Sequence, residues 1–190
     1  MPSGQSATIT SMPATEPEQA LLRLLVRAAA DGDTATLLDR LIGARAGDGG
    51  GNSAQDATPS AEADQFAAHV IWQGSDPLLP ERGYRIRLGA GEAGLRVTDL
   101  VHRVDPGTLE GLAAKTLGPG EIGYCKLALD RALAFDPYSR NPATGAFALL
   151  DPATDEIVGA GTIDFALRRA SNIEWHQMKV TKAARARANA

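Results

Sequence analysis

The chain has 190 residues, of which 44% are hydrophobic and 22% charged, and a formal net charge of -4. This is enough apolar material for one medium domain with an extension, and so mild a charge excludes bulk attraction to nucleic acid or to an anionic membrane. The single cysteine, Cys125, excludes an internal disulfide and suits a reducing cytosol. Residues 1–14 are small, polar and Pro-containing. With no basic n-region and no apolar h-region they read as a disordered start rather than a secretory signal. No apolar run reaches the roughly 20 residues that a spanning helix requires, so a cytoplasmic protein without a membrane segment is expected.

Residues 15–47 carry helical periodicity. Leu21, Leu22, Leu25 and Ala28 fall on one helix face, and Thr15 with Glu18 has capping-box spacing. After the Asp31-Gly32-Asp33 turn the pattern returns at Leu37, Leu38, Leu41 and Ile42, which predicts a helical hairpin. Residues 48–62 are rich in Gly, Ser and Asp without apolar periodicity, the signature of a flexible linker.

Strand signals occupy residues 63–175. A β-rich run from Gln65 to Trp72 ends at a Gly-Ser-Asp-Pro turn. Tyr84, Ile86 and Leu88 alternate with Arg85 and Arg87, a half-buried strand with its arginines in water. Leu95, Val97 and Leu100-Val101 continue the series. The stretch DPGTLEGLAAKTL, from Asp105 to Leu117, predicts a turn followed by one or two turns of helix. Glu121 to Phe135 predicts a strand pair, with Cys125 as a small buried hydrophobe. Phe147 to Leu150 and Ile157 to Leu167 are the last strands. Many short strands separated by turn residues indicate a closed antiparallel barrel, which would remove exposed sheet edges. No internal repeat is evident.

Residues 176–190 form a basic tail. Arg168, Arg169, Lys179, Lys182, Arg185 and Arg187 against Glu174 put the segment from Arg168 onward at +5 and the remainder at -9. His69, His102 and His176 show no metal-ligand spacing, and the expectation for them is half-buried rings bonded to backbone. Asp99 and Asp105 beside His102 and Arg103 suggest a rim network of ion pairs. No Ser/His/Asp or Cys/His constellation exists, so no catalytic or metal residue is assigned. Arg168, Arg169, Asn172 and Trp175 are residue types enriched at binding hot spots, and with His102 and Arg103 they are the candidate partner contacts.

The motifs ADQFAAHVIW, PLLPERGYRIRLG, VTDLVHRVD, TLEGLAAKTLGPGEIGYCKLALDRALAFDPY, TGAFALLDPATDEIVGAG and FALRRASNIEW, in this order and spacing, resemble the C-terminal barrel of the GTPase (large) subunit of bacterial sulfate adenylyltransferase. The resemblance implies a mainly β fold, a closed six-stranded antiparallel barrel like domain 3 of elongation factor Tu. Gly145, Gly159 and Gly161 would sit where its backbone bends. It also implies a role in sulfate assimilation and a partner, the small catalytic subunit that makes adenylyl sulfate from ATP and sulfate.

The family's GTP and magnesium would need a G-x-x-x-x-G-K-[ST] loop. In the aligned segment Ala28 stands for the first glycine, Asp33 for the second, Thr34 for the lysine and Ala35 for the metal-binding hydroxyl residue. An anion replaces a cation beside the phosphates, so the expectation is no GTP, no magnesium and no other cofactor. Residues 15–47 are then either a remnant of the GTPase domain's first strand and helix or an unrelated hairpin, and the dominance of Leu and Ala favours the hairpin. The reading is a truncated, non-catalytic docking module for the small subunit. The alternatives are a subunit that still contributes to adenylyl sulfate formation with a separate GTPase domain, or an RNA- or protein-binding adaptor. The acidic body argues against RNA.

Overall fold

A computed structural model describes residues 16–30, 39, 41 and 61–167. Helix α1 (Glu16–Ala30) precedes strands β1 (Ala61–Trp72), β2 (Gly83–Leu88), β3 (Gly91–Val104), β4 (Gly111–Leu112) and β5 (Ile122–Phe135). The single helical turn α2 (Pro142–Gly145) and strands β6 (Ala146–Leu150) and β7 (Ile157–Ala166) complete the order. The sheet runs β2-β6-β7-β1-β5-β3-β4, and a further pairing of β2 with β3 closes six of its strands into a ring. Every pairing is antiparallel. The expected closed six-stranded barrel is present, with β4 attached outside the ring along β3.

The barrel is filled by its own side chains. Phe66, Val70 and Trp72 from β1, Ile86 and Leu88 from β2, Leu127 and Leu129 from β5, and Phe147 and Leu149 from β6 are all buried in one cluster. The Phe66 ring lies 5.9 Å from that of Phe135 and 6.2 Å from that of Phe147. On β2 the expected alternation holds. Tyr84, Ile86 and Leu88 are buried, while Arg85 and Arg87 turn outward and both bond Glu92 at 2.6 Å. Cys125 is buried in the barrel, and desolvation pushes its thiol up to about 12, which leaves it unreactive.

A second apolar cluster lies outside the ring. The α1 residues Leu22, Leu25, Ala28 and Ala29 pack there with Ile71, Val104, Ile122, Tyr138 and Ala160. Leu22, Leu25 and Ala28 are three of the four positions that the periodicity assigned to one helix face. Gln73 donates to the Ala29 carbonyl at 3.3 Å, satisfying one of the helix's last acceptors. Leu41 is buried in the same cluster, and the Tyr138 hydroxyl donates to its carbonyl. Thr15, the other hairpin residues and residues 48–60 lie outside the described residues. Strand β1 starts at Ala61 and is buried without interruption from Phe66 to Trp72, because the barrel covers one of its faces and the α1 layer the other.

Three expectations need correction. Residues 121–135 are not a strand pair: β5 is one strand of 14 residues, in which the polar Asp130–Arg131 are simply exposed. Residues 105–117 contain no helix. The Asp105 carboxylate accepts from the amides of Gly107 (2.8 Å) and Thr108 (2.9 Å), and this turn leads into β4 and the Leu78–Leu117 bridge. Gly159 and Gly161 lie within β7 rather than at bends. A Cβ on Gly159 would sit 2.6 Å from the Ile71 carbonyl, and one on Gly161 2.4 Å from that of His69. Gly145 does sit at a tight place, with the Tyr138 backbone 2.5 Å from where its Cβ would be.

The Asp105 turn also recurs. Asp105-Pro-Gly-Thr-Leu-Glu110 and Asp151-Pro-Ala-Thr-Asp-Glu156 share one hydrogen-bond scheme. In each, the aspartate side chain accepts from the third and fourth residues, and the fifth residue's amide bonds the aspartate carbonyl. The fifth residue stands at φ 62° in both turns.

These glycine environments separate two substitutions. Gly161→Ala drives a methyl into the His69 carbonyl and the Phe147 ring and is expected to cost about 1–3 kcal/mol. Gly83→Ala meets nothing within 4 Å and is expected to be neutral or to stabilise by up to ~1 kcal/mol. Urea denaturation of both variants checks the contrast.

Candidate functional site

With the barrel interior filled, function falls to the outer surface, and the most elaborated part of that surface lies beside α1. Three neighbouring strands each contribute one ring there. His69 of β1 pairs across to Tyr124 of β5, which pairs across to His102 of β3. The His69 and Tyr124 rings are 4.8 Å apart. His102 stacks on Tyr124 at 5.4 Å with an interplanar angle of 19°. The register slips between Leu100 and His102, as at a bulge, which re-aims the imidazole. The other side of His102 lies over Gly111 of β4, where a Cβ would come within 2.8 Å of the ring. Tyr124 donates to Asp164 of β7 at 2.9 Å.

His69 is only 3% exposed, and its Nδ1 has no hydrogen-bond partner among the described residues. Thr162, directly across β7 from His69, likewise has a buried Oγ1 without a partner. The expectation of a half-buried, backbone-bonded ring is thus corrected for His69, which is fully buried with no backbone bond at Nδ1, an unpaired state that costs about 1–3 kcal/mol. Desolvation, reinforced by the neighbouring His102, holds the His69 imidazole down at about 4. Desolvation also lowers His102, against an opposing pull from Glu18. Burial and the bond to Asp164 push Tyr124 far above the ordinary phenol range. The rings are therefore neutral at pH 7, suited to hydrogen bonding rather than to carrying charge.

Between α1 and the turn at 106–111 runs an open groove of about 820 Å³. His69 and His102 line it from the barrel, Arg23 and Arg27 from the helix, and Thr108 and Glu110 from the turn. Leu109 reaches from that turn into the α1 cluster.

The structure divides the residues that the sequence singled out. His102 joins the ring array, whereas Arg103 beside it pairs with Glu121, which also accepts from the Gly118 amide at 2.7 Å. Asp99 pairs with Lys126 at 3.0 Å, and Asp105 serves its own turn, so the expected rim network does not form as one unit. Asp33, Thr34, Ala35, Arg168, Arg169, Asn172, Trp175 and His176 lie outside the described residues. Sequence reasoning missed His69 with its orphaned nitrogen, Tyr124, Asp164, Arg23 and Arg27. The outward positions of β1 and β5 marked His69 and Tyr124 as sharing a face, but only the strand pairing sets them side by side.

Residues 65–164, the ring and its turns, match the family described as GTP-eEF1A C-terminal domain-like. The chain belongs to this family. Among its relatives is the bifunctional enzyme NodQ of Rhizobium meliloti, 45% identical over 123 residues that cover 65% of this chain and 19% of that protein. Sulfate adenylyltransferase subunit 1 of Aeromonas hydrophila is 40% identical over 96 residues, 50% of this chain and 20% of that protein. The chain thus spans about a fifth of the length of these relatives. A crystal structure of sup35 complexed with GDP superposes with a TM-score of 0.53 at 15% identity, over 61% of this chain and 28% of that one. At that identity the likeness establishes the shared fold of this GTP-eEF1A C-terminal-like barrel. Among the described residues, no helix is long and apolar enough to cross a membrane.

The depressed His69 sets a pH dependence. The unfolded chain takes up a proton as pH falls through about 6.5, whereas the folded chain does so only near 4. The stability due to neutral His69 is therefore complete above pH 6.5 and is lost between 6.5 and 4, to a total on the order of 3 kcal/mol. Denaturation across this range should give a steeper fall for the native chain than for His69→Phe, and equal slopes would contradict the burial of a neutral imidazole.

Proposed function

We infer that this barrel serves sulfate activation as a non-catalytic docking module for the small catalytic subunit of sulfate adenylyltransferase. The observation that carries the reading is the 40% identity to sulfate adenylyltransferase subunit 1 across half of the chain, within the barrel family. The packed interior supports it, because a barrel filled by Phe66, Phe135 and Phe147 has no room for a substrate and acts through its outside.

The β3–β4 corner is the docking surface of this reading. Val101 is 43% and Leu112 36% exposed, and Leu112 pairs across the strands with Arg103. An apolar pair beside an arginine has the composition of an interface centre. His102 sits next in the strand and is fixed by its stacking. The other contact residues in this reading are Arg168, Arg169, Asn172 and Trp175. No GTP or magnesium is bound by the module, and its compartment is the cytoplasm.

The chain is expected to co-elute with the small subunit at micromolar concentration. The double substitution Val101→Asp with Leu112→Asp should weaken the complex at least ~10-fold while leaving the barrel folded. No association at that concentration defeats the reading. A rise in adenylyl sulfate formation when the chain is added to the small subunit and a separate GTPase domain would replace it with a role as a contributing enzyme subunit.

A further inference from the structure

We propose that the groove between α1 and the β3–β4 turn is a binding site for a small organic oxyanion, a molecule bearing a carboxylate or phosphate group. The inference does not rest on the docking role, although His102 borders both surfaces. The groove, at about 820 Å³, has the size of ordinary small-molecule sites. Its barrel side presents the His69 imidazole, buried to 3% exposure and with Nδ1 lacking any partner among the described residues. The ring borders the groove while its unpaired Nδ1 is shielded from solvent, so a ligand reaches that hydrogen-bonding capacity only by displacing the atoms that cover it.

The helix side supplies the charge. Arg23 and Arg27 both line the groove, one helical turn apart, and neither has an ion-pair partner among the described residues. Like charges at this spacing repel each other, and an oxyanion shared between two guanidiniums removes that repulsion through charge-assisted, often paired, hydrogen bonds. The two carboxylates of the lining do not neutralise the arginines. Glu18 already has an interaction of its own and lies toward His102, and Glu110 is exposed on the turn.

His102 is fixed between Tyr124 and Gly111, which leaves no free ring face for stacking. The site therefore selects for the anionic group and reads little of the remainder of the molecule. Because the arginines belong to α1 and the imidazoles to the barrel, one bound anion would tie helix to barrel.

The test is titration of the full chain with citrate, 3-phosphoglycerate and inorganic phosphate, followed by the imidazole resonances of His69 and His102. Glycerol and sodium chloride at matched ionic strength serve as controls. Saturable shifts of both imidazoles with at least one oxyanion are expected, together with a rise in melting temperature. The same shifts should need at least ~10-fold more ligand in the Arg23→Gln, Arg27→Gln double variant. Both arginines are exposed, so this variant keeps the barrel spectrum and the comparison stays interpretable. Absence of saturable shifts in the folded native chain overturns the site. So do shifts that sodium chloride reproduces, or that persist unweakened in the double variant.

Discussion

Burial of strand β1 on both faces is the constraint on which the rest depends. Its inward residues Phe66, Val70 and Trp72 fill the barrel, while its outward residue Ile71 joins the layer that receives α1. His69 is an outward residue in the same run. Covering this face to hide Ile71 also buries the imidazole, and desolvation then lowers its basicity. The neutral ring array and the groove beside it are thus consequences of where one apolar strand had to go.

Much of the ring was legible in the sequence. The β2 alternation was readable because Arg85 and Arg87 turn to solvent, and the α1 face because Leu22, Leu25 and Ala28 recur at helical spacing. Length was less legible. Strand β5 runs through the exposed Asp130-Arg131, which look like a turn, and its backbone stays extended to pair Leu133 to Phe135 with Ala63 to Ala61 of β1. In DPGTLEGLAAKTL, the Leu, Ala and Glu residues favour helix intrinsically. The Asp105 carboxylate instead captures the Gly107 and Thr108 amides and commits the chain to a turn. Of the candidate site, His102 was identifiable from sequence but its neighbours in the ring array were not. Tyr124 and His69 lie more than fifty residues apart in sequence, and an orphaned nitrogen is a property of what fails to arrive from other strands.

The two Asp-Pro turns show how one local solution serves two purposes. Both hold their fifth residue at positive φ, an uncommon state for a residue other than glycine. In the first turn that residue is Leu109, which reaches into the α1 cluster. In the second it is Asp155, which pairs with Arg85. The backbone device is constant, and the side chain placed on it decides whether the turn supports the helix layer or the β2–β3 surface.

The strand order carries a consequence for biosynthesis. Among the described strands β1 is made before the others, yet it pairs only with β5 and β7, and Val70 meets Gly123 on one side and Gly161 on the other. The apolar run from Phe66 to Trp72 therefore leaves the ribosome some fifty residues ahead of its first partner and some ninety ahead of its second. Helix α1, made earlier, packs with Ile71 on the outward face, but the inward residues wait on the distant contacts that close the ring. The inward apolar face is most open to misassociation before β5 emerges, and the ring closes only with β7.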